Sequence, residues 1–117
     1  MNYPTSNSID NLQEYELPGE LQELVNSGKA GNLCLVGKAF YTGDGVGQNH
    51  EIAYEWYKKA AIKGDVVAQL VIKGMLDSGQ GPFKDVNAAF QLMLESSKQK
   101  DLFAFMILGW MYQYGKG

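Results

Sequence analysis

Apolar residues recur along this chain at helical spacing. Leu33, Val36, Gly37 and Phe40 fall at i, i+3, i+4 and i+7, the spacing that turns one side of an α-helix toward a core. Ala53, Tyr57, Ala60 and Ala61 continue the pattern after a polar, glycine-rich break. Strict alternation, which a half-buried strand needs, persists nowhere. The pattern predicts antiparallel helix pairs at roughly 31–42 with 50–63, and 66–77 with 86–98.

The residues between these stretches read as helix punctuation. Gly43 and Gly79 stand where a left-handed C-cap is expected. Asn49 and Asp85 precede the second helix of each pair, where their side chains can accept from its free N–H groups. Gly64 closes that helix, Asp65 and Asp101 can cap the next one, and Pro82 falls in the loop.

Gly43/Gly45, Gly79/Gly81 and Gly115/Gly117 recur every 36 residues, and the rest of the chain keeps the same register. Val36, Ile72 and Leu108 align, as do Phe40, Leu76 and Tyr112. Ala53 meets Ala89, Tyr57 meets Met93, Ala60 meets Ser96, and Ala68 meets Ala104. A fixed period with conserved side-chain size marks a tandem helical array. Shifting back by 36 aligns Leu21, Leu24, Val25 and Gly28 with Tyr57, Ala60, Ala61 and Gly64, so residues 19–29 read as the second helix of a preceding half unit. The expected organisation is a tail or irregular cap at 1–18, the half unit at 19–29, full units at 30–65 and 66–101, and a partial unit at 102–117. That makes an all-α solenoid of antiparallel helix pairs, about six helices in all.

Composition narrows the function. The 117 residues carry a net charge of −3, with ten basic residues against thirteen acidic ones. This gives neither a footprint for nucleic acid nor a polybasic face for anionic lipid. No apolar run approaches the roughly 20 residues of a membrane span. Cys34 is the single cysteine, which excludes an intrachain disulfide and fits a reducing, cytoplasmic location without requiring one; removal of a signal peptide would allow a periplasmic one. His50 is the single histidine, so the chain holds no two-histidine metal site; its place at a helix start predicts exposure to solvent. The Gly-x-Gly pairs follow helices rather than strands, which argues against a phosphate loop. No cofactor and no metal are expected.

LVGKAFYTGDGV followed by EIAYEWYKKAAIKGD resembles the Sel-one-like repeat, a relative of the tetratricopeptide repeat. The matching positions are Ala30, Gly37, Tyr41, Gly43, Gly45, Val46, Ala53, Trp56, Tyr57, Lys59, Ala60, Ala61 and Gly64, then Leu108, Gly109, Met111, Tyr112, Gly115 and Gly117. The middle unit departs, with Lys73 in the place of Gly, Pro82 in the place of Val, and Leu92–Met93 in the place of Trp–Tyr. The resemblance implies a right-handed α-solenoid in which the first helix of each unit lines a concave surface, and a scaffold or adaptor rather than an enzyme.

By that resemblance the groove-facing positions are Cys34, Lys38 and Tyr41, then Leu70, Gly74 and Asp77, then Met106, Trp110, Gln113 and Tyr114. Lys38, Tyr41, Leu70, Asp77, Met106, Trp110, Gln113 and Tyr114 form the expected partner-binding set for a protein or peptide segment. The same spacing allows Cys34, Leu70 and Met106 to be core. The last helix carries Phe103, Phe105, Met106, Trp110, Met111, Tyr112 and Tyr114, too many for one face, so part of it is expected to stay exposed. Self-association through that helix is therefore a second reading, and a small bacterial inhibitor of the immunity type a third. Some relatives are linked to β-lactam binding or hydrolysis, but those carry regularly spaced disulfides that one cysteine cannot supply.

Overall fold

A computed structural model describes residues 17–98 and 101–113. Among these residues the chain forms six α-helices: α1 (Gly19–Ser27), α2 (Ala30–Thr42), α3 (His50–Ile62), α4 (Val66–Ser78), α5 (Val86–Lys98) and α6 (Leu102–Gln113). The ends predicted for the four paired helices agree with the observed ones to within a residue, and α1 stops two residues before the end of the 19–29 half unit. Pro82 is the exception to the loop reading, because a 3-10 turn forms at Gly81–Phe83. Pro suits a first helical turn, where its missing N–H would have had no partner.

The punctuation works as its chemistry requires. Gly43 takes φ 80°, the left-handed region, and its N–H donates to the Ala39 carbonyl at 2.8 Å. The chain then turns back at once, with the Asn49 N–H donating to the Phe40 carbonyl at 2.8 Å. Asn49 Oδ1 accepts from the N–H groups of Glu51 and Ile52, each at 3.0 Å, and starts α3. Asp85 caps α5 through Ala88 N–H at 3.1 Å, and Asp101 caps α6 through Phe103 N–H at 3.0 Å.

The described residues divide into two compact units, the first ending at Ile72 and the second starting at Lys73. In the first, α2 packs extensively on α3, and α1 packs on α2. Leu33, Val36 and Phe40 from α2 and Ile52, Ala53, Tyr57 and Ala60 from α3 are buried in the core of this unit. Gly37 is what lets these helices approach: a methyl group there would lie 3.0 Å from Cγ and Cδ1 of the Tyr57 ring. In the second unit α5 packs on α6, with Ala89, Met93, Ala104, Ile107, Leu108 and Met111 buried.

Candidate partner-docking surface

Helix α2 presents two different sides of the first unit. On one, Tyr41 is half-buried and its ring stacks on His50, with centroids 4.5 Å apart and planes 24° from parallel. The edge of Tyr57 completes the cluster at 6.3 Å. The tight return after Gly43 brings the first residue of α3 back beside the last turn of α2, which makes the stack. His50 is therefore half-buried, not solvent-exposed as expected of a residue at a helix start.

On the other side Leu35, Lys38 and Thr42 follow one another at near-turn spacing and face outward; Leu35 is 50% exposed. With Ala39 they form one wall of an open cleft of about 530 Å³, and Pro18, Gly19, Glu20 and Leu21 at the start of α1 form the other. Asp44 and Gly45 close its end. The lining is mixed: aliphatic side chains, one ammonium and two carboxylates. That suits a peptide, which offers side chains and backbone amides together.

Cys34 does not belong to this surface. It is buried at 8% exposure, and its thiol is pushed up from 9.0 to about 12. Burial is the main cause; the Asp65 carboxylate adds to it by accepting from the thiol and by its charge, while Lys38 opposes. A thiol held protonated in this way is a core residue, not a nucleophile. Tyr57, also buried, is raised from 10.0 to about 12 for the same principal reason.

The remaining expected binding residues fall as follows. Leu70 is 61% exposed on α4, in the first unit with Lys38 and Tyr41. Gly74 and Asp77 are exposed, and Gln113 is exposed at the end of α6. Met106 and Trp110 are half-buried in the second unit. Trp110 carries the Lys73 ammonium 5.5 Å above its ring, a cation–π contact that orients the indole. Tyr114 lies outside the described residues. Expected exposure on α6 is found at Leu102, Phe105 and Tyr112, and Tyr112 meets Phe90 edge-on at 5.6 Å.

Sequence reasoning missed four contributors. His50 gave no signal, since its stack depends on how tightly the loop returns. Leu35 and Thr42 stand one position from the registers assigned to the groove. Lys73 did leave a trace, as the lysine in a register held by Gly37 and Gly109. Among the described residues no group of three or more His, Cys, Asp or Glu could hold a metal ion. No described helix is long and apolar enough to cross a membrane.

Helix pairs joined by glycine-capped returns, with a small residue at the crossing and the same register every 36 residues, define a helical-repeat protein. The Sel1 repeat family matches residues 33–65, 75–101 and 106–117, and the chain belongs to that family. It is similar to the chitin synthase regulator SKT5 of Saccharomyces cerevisiae, at 36% identity over 98 residues. That match covers 81% of this chain but 14% of the relative. No solved structure matches the chain.

Proposed function

We propose that this chain is a non-catalytic protein-interaction module, a scaffold or adaptor that grips a segment of a partner protein. The observation that carries this reading is α2 of the first unit, which lines an open, mixed-polarity cleft with exposed Lys38 on one side and carries the Tyr41–His50 stack on the other. Aromatic anchors beside polar groups are the usual composition of a binding hot spot. Lys38, Tyr41 and Leu70 serve the first unit, and Asp77, Met106, Trp110 and Gln113 the second. Likeness to a chitin synthase regulator supports an enzyme as the partner, with the module adjusting that enzyme's activity or placement. A free, protonated Cys34 suits a reducing compartment, and we place the module in the cytoplasm.

Affinity capture from the source cell, quantified for the wild type and for Tyr41→Ala and Trp110→Ala, tests this reading. Each substitution weakens capture by about fivefold or more (about 1 kcal/mol) if these are hot spots. Unchanged capture by correctly folded variants removes the assignment. A second reading, self-association through α6, is favoured by the exposed Leu102, Phe105 and Tyr112. Light scattering over a concentration series separates it, because a monomer at high concentration leaves those residues to another partner.

A further inference from the structure

The corner between α3 and α4 carries a feature that the α2 cleft does not use. Ile62, Val66, Val67 and Leu70 are 61, 64, 58 and 61% exposed. Single exposed aliphatic residues are ordinary, but four within one corner make an apolar patch of the kind that marks an interaction site. The corner is also braced. The Asp65 N–H donates to the Ala60 carbonyl at 3.0 Å, and the Gln69 amide donates to the Ala61 carbonyl at 3.2 Å. The Asp65 carboxylate accepts from Ala68 N–H at 3.4 Å, so the first turn of α4 is fixed against the end of α3. Val66 and Leu70, four apart on α4, share one face.

The exposed charges beside the patch have one sign. Lys59 and Lys63 are exposed, and they stand three residues before and one residue after Ile62. The nearest acids along the chain, Glu55 and Asp65, are half-buried, and Asp65 is engaged with Ala68 and Cys34. On a chain of net charge −3 this corner is locally basic.

We infer that the α3–α4 corner docks an acidic, apolar-rich peptide segment of a partner protein, whose aliphatic side chains cover Ile62, Val66, Val67 and Leu70 while its carboxylates meet Lys59 and Lys63. This rests on the reading of the chain as a partner-binding module and adds the chemistry of the bound segment. Fluorescence anisotropy of the full chain with a labelled amphipathic Leu/Glu peptide, and with its Gln-for-Glu and Lys-for-Glu counterparts, tests it. The Glu peptide binds about tenfold tighter than the Gln peptide and loses affinity as salt rises. Lys59→Glu with Lys63→Glu reverses the preference toward the Lys peptide, and Val66→Ser with Leu70→Ser removes binding while helicity is kept.

Equal affinity for the Glu and Gln peptides, no binding of either, or a preference untouched by charge reversal overturns the inference. Tighter binding to phosphatidylserine vesicles than to the Glu peptide overturns it in favour of a membrane surface. A dimer abolished by Val66→Ser with Leu70→Ser overturns it in favour of a second copy. Capture of the natural partner that fails with Tyr41→Ala but survives the Lys59/Lys63 reversal refutes the corner alone, whereas capture indifferent to every variant refutes the module reading itself.

Discussion

Replacing Gly37 with alanine tests how closely the helices of the first unit must approach. The added methyl would sit 3.0 Å from two carbons of the Tyr57 ring and 3.2 Å from a third. Carbon atoms ordinarily rest about 3.5–4.0 Å apart, so three contacts are short by several tenths of an ångström. The ring cannot swing clear, because Tyr57 is 3% exposed and makes a T-shaped contact with the Tyr41 ring. Overpacking of this kind costs about 1–3 kcal/mol. Alanine returns about 0.5–1 kcal/mol in helix propensity, which leaves a net loss centred on about 1 kcal/mol and at most about 2.5 kcal/mol. Gly109 occupies the same register 72 residues later, and a methyl group there meets nothing within 4 Å. Gly109→Ala therefore keeps the propensity gain and is stabilised by about 0.5–1 kcal/mol. Urea unfolding followed by circular dichroism reads both changes, with equal slopes as the check that the unfolded states are alike. If Gly37→Ala is as stable as the wild type or more so, the close-approach account is refuted.

Four further outcomes follow from named contacts and burial. The raised Cys34 and Tyr57 groups ionise first in the unfolded chain, so their contribution to stability is constant below about pH 9 and is lost as pH climbs toward about 12; Cys34→Ala flattens the onset of that loss in pH-dependent unfolding. The same burial makes Cys34 resist iodoacetamide at pH 8 in the native state and react once urea unfolds the chain, as a mass-spectrometric time course will show. Asn49→Ala removes two capping bonds and costs about 1 kcal/mol in urea unfolding. Lys73→Gln takes the cation from the Trp110 ring, shifts its fluorescence and lowers stability by about 0.5–1 kcal/mol.

Much of the fold was legible because local chemistry determines it. The i, i+3, i+4 spacing located the helices, and Gly43, Asn49, Asp85 and Asp101 located their ends, since caps act over a few residues. Burial was less legible, because it depends on what lies across from a helix. Cys34, Leu70 and Met106 share one register, yet they are buried, exposed and half-buried in turn. Phe40 and Leu76 are fully buried, while Tyr112 in the same register is 67% exposed. Periodicity says which side of a helix is apolar and says nothing of whether a neighbour covers it. The candidate surface was half readable for the same reason: Tyr41 and Lys38 stood out by register, while the His50 stack and the cleft wall at Pro18–Leu21 exist only in three dimensions.

The most direct test of the partner-binding account is photo-crosslinking from position 38 in the source cell. A photoreactive amino acid replaces exposed Lys38 at the cleft, and another replaces exposed Gln91 on α5 as the control. The account predicts a discrete covalent adduct to one partner from position 38, diminished by Tyr41→Ala and absent from position 91. Adducts of equal yield from both positions, or none from position 38 while position 91 reacts, would contradict it.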